Sequence, residues 1–123
     1  MLKGFEKLTE ELTDQELQIV PDVVRGIGAR KGKANAVKSS VICEKMGIIG
    51  VRLRKIIHFI RVNNLLSGLC SNSKGYYVAA NLNELEENNI SLKQRIASQV
   101  EILNALEKQT IMFGGVGQLS IFE

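Results

Sequence analysis

Two cysteines, one histidine and one proline are all that this 123-residue chain contains of the residues that most often staple, metallate or interrupt a small fold. Cys43 and Cys70 stand 27 positions apart without a CxxC spacing, which excludes a zinc ribbon and argues against a disulfide framework. Both are expected as reduced, small apolar side chains. The lone His58 has no Cys/His/Asp cluster beside it, so neither a metal site nor a nucleophile–base pair can be assembled from the motifs present. The glycine-bearing segments lack a following Lys-Ser/Thr pair, which removes a phosphate-cradling P-loop. No cofactor and no metal are expected, and an enzyme is hard to build from this inventory. Nor is there a run of eighteen apolar residues or, at Met1-Leu2-Lys3-Gly4-Phe5-Glu6, the basic flank of a signal peptide. The expectation is a cytoplasmic protein that is neither secreted nor membrane-spanning.

What is present is the composition of a folding chain: 45% apolar and 24% charged residues, enough for one core and too few residues for two. The charge is unevenly placed. Residues 1–24 carry two basic and six acidic side chains, and residues 62–123 four and six. Between them, Arg25, Arg30, Lys31, Lys33, Lys38, Lys45, Arg52, Arg54, Lys55 and Arg61 face only Glu44, a local net charge of +9 in a chain of +3. A concentrated positive field of this kind suits a polyanion, because neutralising each phosphate releases condensed counterions.

Thr13-Asp14-Gln15-Glu16 has the form of a capping box and predicts a helix start. Leu17, Val20, Val23, Val24 and Ile27 then recur at helical spacing as an inward face, with Pro21 predicting a kink or a restart in their midst. Residues 30–35 are a polar connector. A short helix is predicted over residues 37–46, stopped by Gly47, and only three residues separate it from the next helical pattern, as in a helix-turn-helix. Over residues 50–63, Leu53, Ile56, Ile57 and Ile60 fall at i, i+3, i+4 and i+7, which leaves Val51, Arg54, Lys55 and His58 opposite that stripe and Arg52 and Arg61 on its flanks. Residues 65–71 and 76–80 flank the turn chemistry Asn72-Ser73-Lys74-Gly75 and predict a hairpin. After the cap-like Asn81-Leu82-Asn83-Glu84, helical periodicity runs to about Gln109. Leu82, Leu85, Leu92, Ile96, Leu103 and Leu106 step by threes and fours, with Asn89 and Gln99 in seam positions. Residues 82–108 can pack back on their own domain or form a homodimer.

The fold class expected is therefore mainly α with a small β-hairpin: a winged helix-turn-helix followed by a long C-terminal helix. The expected organisation is an extension (1–12), the winged domain (13–80), the long helix (81–109) and a glycine-rich tail (110–123). The basic run Arg52-Leu53-Arg54-Lys55-Ile56-Ile57-His58, followed by Ser73-Lys74-Gly75-Tyr76-Tyr77, resembles winged-helix proteins of bacteriophages and prophages over roughly residues 8–108. That resemblance implies a double-stranded DNA partner in a bacterial host cell, with residues 37–46 as positioning helix, 50–63 as recognition helix and 65–80 as wing. Arg54 and Lys55 are then the candidates for base edges, with Val51 and His58 on the groove-facing side. Lys38, Lys45, Arg52 and Lys74 suit phosphates, and Tyr76 and Tyr77 brace the wing.

Past three glycines in four positions, Gln118-Leu119-Ser120-Ile121-Phe122 resembles the short motif by which bacterial replication and repair proteins dock on the DNA polymerase sliding clamp. By that resemblance Gln118 bonds a pocket rim while Leu119, Ile121 and Phe122 fill an apolar cleft. The leading expectation is a non-enzymatic DNA-binding protein of phage replication or transcriptional control. The competing one is an adaptor whose winged helix, long helix and tail bind replication proteins.

Overall fold

A computed structural model describes residues 11–114 of the chain. It divides into two units, Met1–Asn88 and Asn89–Glu123. In the first, helix α1 (Asp14–Gly28) leads through a short 3-10 turn (Lys33–Asn35) to α2 (Ser39–Met46), α3 (Gly50–Val62) and a hairpin of β1 (Leu69–Asn72) and β2 (Gly75–Val78). Helix α4 (Leu82–Gly114) starts in the first unit and continues into the second. Among the described residues the fold is thus mainly helical with a small antiparallel hairpin, as expected from the periodicities. Among the described residues no helix is long and apolar enough to cross a membrane.

Local signals account for most boundaries. Thr13 caps α1 as predicted: its hydroxyl accepts from the Glu16 amide at 3.2 Å while its own amide donates to Glu16 Oε1 at 2.8 Å. Gly47 ends α2 in the left-handed conformation, φ 67 and ψ 37, and Ile49 opens α3 two residues on. Asn64, with φ 53, closes α3 in the same region, which Asn tolerates better than bulkier residues. The α3 stripe is the centre of the core: Leu53, Ile56, Ile57 and Ile60 are buried, with Ile56 and Ile60 at 0% exposure. Val20, Val23 and Ile27 of α1, Ile42 of α2 and Leu69 of β1 pack with them.

Three expectations are corrected. Pro21 causes no restart, since α1 is a single helix with Pro21 inside it. Pro21 and Leu17 both lie on its exposed side, so water can satisfy the Leu17 carbonyl that loses its i+4 donor. Leu17 itself is 44% exposed, and Glu16 takes an inward place at 3%. The first five residues of the expected glycine-rich tail are also helical: Thr110–Gly114 continue α4, and the Thr110 hydroxyl donates to the Leu106 carbonyl at 2.9 Å.

The connector between α1 and α2 does more than connect. Arg30 and Gly32 exchange bonds with Val78 (Val78 N to Arg30 O 2.8 Å, Gly32 N to Val78 O 2.7 Å), and Val37 pairs reciprocally with Tyr76 at 2.8 and 2.9 Å. The segment therefore adds a third, broken strand to the hairpin, which is why α2 begins at Ser39 and not at residue 37. The first unit extends to Asn88 because the opening turns of α4 bond to it. The Glu84 carboxylate accepts from the Ala80 and Lys33 amides, Lys33 Nζ meets Glu87 at 3.1 Å, and the Ser71 amide donates to Asn88 Oδ1 at 3.2 Å.

Candidate nucleic-acid interface

The approach of Val37 to the hairpin decides where the cations go. Gly75 sits at φ +133, and a Cβ built on it would run into the Val37 carbonyl and come 2.9 Å from Lys38 Cα. Only glycine allows β2 to lie this close. The result is that Lys38, the residue preceding α2, stands beside the hairpin turn. Lys38, Ser39 and Ser40 on one side and Ser71, Asn72, Ser73, Lys74, Gly75 and Tyr76 on the other line an open cavity of about 490 Å³. The Lys74 amide is fixed by Asn72 Oδ1 at 2.8 Å, which shapes the turn. No side chain caps α2, so its first amides add partial positive charge to a cleft that already holds two lysines, four serine hydroxyls and the Tyr76 phenol. The four serine hydroxyls, of Ser39, Ser40, Ser71 and Ser73, can each rotate to donate to an anion.

One wall of this cleft continues onto α3. Arg61 Nη2 donates to Ser71 Oγ at 3.2 Å, and Arg61 and Arg54 both act electrostatically on the Tyr76 phenol. Burial pushes the Tyr76 hydroxyl up from its ordinary value, and the two guanidiniums pull weakly the other way, so Tyr76 stays a neutral donor at physiological pH. Arg54 and Arg61 are exposed and seven residues apart, two turns of one helix face, with His58 half-buried between them. Of the predicted site residues, the structure thus brings Lys38, Lys74 and Arg54 to one side of the first unit, with Arg61, Ser39 and Ser40 joining them. Val51 is half-buried and Lys45 exposed on α2. Arg52 lies apart from this cluster, in a second groove with Gln15, Gln18, Ile19, Met46 and Ile48.

Lys55 is a correction. It was expected on the solvent face of α3 as a base-contacting cation, and the structure buries it to 9% exposure, with Nζ 3.0 Å from Glu16 Oε1. A helical wheel assumes one buried arc; α3 is covered on a second flank by the first turn of α1. Burial alone would raise the Glu16 carboxyl, but the Thr13 amide, the Lys55 ammonium and the Thr13 hydroxyl outweigh it and hold the group below its ordinary range. Lys33 and Arg25 are likewise paired, with Glu87 and Asp22. At least three of the ten cations in the basic segment are therefore balanced by carboxylates from outside it, whereas Lys38, Lys45, Arg52, Arg54 and Arg61 lie at the start of α2 or on α2 and α3, and Arg30 and Lys31 on the connector.

Ser39 and Ser40 were not singled out by sequence reasoning, and Arg61, placed on the flank of the 50–63 helix, was given no role. The signal was available: Lys38-Ser39-Ser40 opens a helix, and Arg61 follows Arg54 by i+7. Gln118, Leu119, Ile121 and Phe122 lie outside the described residues. Comparison of the chain with known protein families, with curated proteins and with solved structures finds no match. Function has to be read from the chemistry of the site.

Proposed function

We propose that the first unit is a winged helix-turn-helix that binds double-stranded DNA without catalysis, with α3 as recognition helix and the hairpin as wing. The observation that carries this reading is the continuity of the lysine- and serine-lined cleft with the Arg54 and Arg61 side of α3. A phosphate seated between Lys38 and Lys74 would take hydroxyl and amide donors from the start of α2, and such contacts fix orientation on the duplex. Arg54 then reaches base edges, where its guanidinium can bond O6 and N7 of one guanine together. Arg61 and Arg52 flank the helix toward the two sugar-phosphate strands. Lys55 is assigned to the fold and not to DNA.

Two measurements separate these roles. Arg54→Ala is expected to weaken binding to a selected sequence by about 1–3 kcal/mol and to leave affinity for random duplex nearly unchanged. Lys74→Ala is expected to weaken both equally and to flatten the dependence of log K on log salt by about 0.9. Equal losses for Arg54→Ala on all sequences would move Arg54 to the phosphate class. Absence of any gel retardation with mixed duplex at micromolar protein and low salt would favour an adaptor that binds proteins.

The motif Gln118-Leu119-Ser120-Ile121-Phe122 supports a second contact, docking of the C-terminus on a polymerase sliding clamp, which sets the DNA-binding unit in replication and not in transcriptional control. Titration calorimetry of the bacterial clamp with the full chain and with a form lacking residues 117–123 checks it. Binding at micromolar affinity that disappears on truncation is expected; no binding by the full chain, or equal binding by both, rejects it.

A further inference from the structure

The second unit offers a different surface. From Asn89 to Gly114 every residue of α4 is exposed, including Leu92, Ile96, Leu103, Leu106 and Phe113. Their order is regular. Asn89, Ile96, Leu103 and Thr110 repeat every seven residues, and Leu92, Gln99, Leu106 and Phe113 repeat every seven residues three positions later. These are the a and d positions of an unbroken heptad pattern about 39 Å long at 1.5 Å per residue. Val100 and Ile102, also exposed, widen the stripe at its middle, whereas the opposite side is polar over its central turns, with Ser91, Gln94, Ser98, Glu101, Asn104 and Lys108, and carries exposed Ile90, Ile111 and Met112 only toward the two ends.

We infer that residues 89–114 pair with a second copy of this chain as a parallel, in-register, two-stranded coiled coil. The polar seam residues identify the occupant. In a parallel pair a faces a and d faces d, so Asn89, Gln99 and Thr110 each meet their own counterpart. Primary amides and hydroxyls both donate and accept, which makes each of these layers self-complementary. Every remaining layer joins apolar to apolar.

An antiparallel pair over the same length sets a against d. Asn89 would then face Phe113, Gln99 would face Leu103 and Thr110 would face Leu92, leaving three polar groups without partners in an apolar seam. It would bring Lys93 toward Glu107 of the copy, but an exposed ion pair contributes less than one buried amide without a partner costs. The shorter antiparallel offset that matches Gln99 with Thr110 puts no described residue opposite Asn89 or Leu92. An unrelated partner helix would have to supply polar groups at the same three layers; an identical copy does so automatically. Asn at an a position also resists the higher oligomers that an all-apolar seam permits.

The test is independent of DNA and of the tail. Sedimentation equilibrium of the full chain at tens of micromolar is expected to give twice the 13.6 kDa chain mass. Leu103→Asp is expected to give the monomer at the same concentration with the circular dichroism of the first unit's core unchanged, and monomeric wild type at that concentration overturns the inference. Orientation is read in a Cys43→Ser background carrying Ser91→Cys with a nitroxide label, since Cys70 is fully buried. Parallel pairing puts the labels on the order of 20 Å apart, about two helix diameters. The full-length antiparallel pair separates residue 91 from its copy by about 30 Å along the axis alone, so a distance in that range overturns the parallel assignment.

Discussion

Glu16→Ala is expected to cost the fold about 3–5 kcal/mol, because it leaves the Lys55 ammonium buried with its carboxylate partner removed. Glu16 is 3% exposed, and one oxygen, Oε1, takes both the Thr13 amide and the Lys55 ammonium. The substitution therefore removes half of the α1 capping box along with the ion pair. For a domain whose whole stability is about 5–15 kcal/mol, that is a large share. Urea denaturation gives the number directly. The paired replacement Glu16→Leu with Lys55→Met is expected to recover most of the loss, since two well-packed apolar chains avoid the desolvation of two charges. The same pair makes stability depend on acidity. The folded carboxyl titrates below its ordinary value of 4.5, so its contribution is complete above that pH and is lost as the pH falls through the folded value. Wild-type protein is thus expected to lose stability on acidification below about pH 4.5 more steeply than Glu16→Gln. Parallel slopes for the two proteins would show that the Lys55 pair carries no such contribution.

This pair also marks where sequence patterning stops. The inner stripe of α3 was legible because four branched or long aliphatic side chains recur with the helical period, and the Thr13 box and the Gly47 helix end were legible because each is a local backbone requirement. Lys55 was not, since its fate depends on a carboxylate 39 residues earlier that local spacing had already assigned to the cap. The strand-like run from Arg30 to Val37 was hidden for another reason. Its lysines, glycine and asparagine are depleted from strands, and its pairing with Val78 and Tyr76 is made by backbone groups alone, which composition does not report. The cleft between Lys38 and Lys74 was illegible as a consequence, because it exists only once that run is laid along β2. What the charge distribution did convey was the segment that carries the cations. It could not say which of them other elements would neutralise.

Gly75→Ala tests whether that laid-down run makes the cleft. Residue 75 at φ +133 is outside the range an alanine adopts without strain, at a cost of about 1–3 kcal/mol. The new Cβ also meets the Val37 carbonyl and Lys38 Cα, backbone atoms that cannot rotate away, which adds about 1–3 kcal/mol for the overpacked contact. The separation forced on the two segments breaks the reciprocal Val37–Tyr76 bonds and draws Lys38 away from Lys74. A loss of melting temperature is therefore expected together with a fall in duplex affinity, whereas Lys74→Ala lowers affinity and leaves melting unchanged. Gly47→Ala separates strain from contact: Gly47 also has positive φ, 67, but a Cβ there meets nothing within 4 Å. It is expected to cost only the roughly 1–2 kcal/mol of the left-handed conformation and to spare the cleft. If Gly75→Ala melts no lower than Gly47→Ala, the close approach of β2 to Val37 does not hold the hairpin in place. If it melts lower but binds duplex with wild-type affinity, the Lys38–Lys74 cleft is not where the phosphate sits.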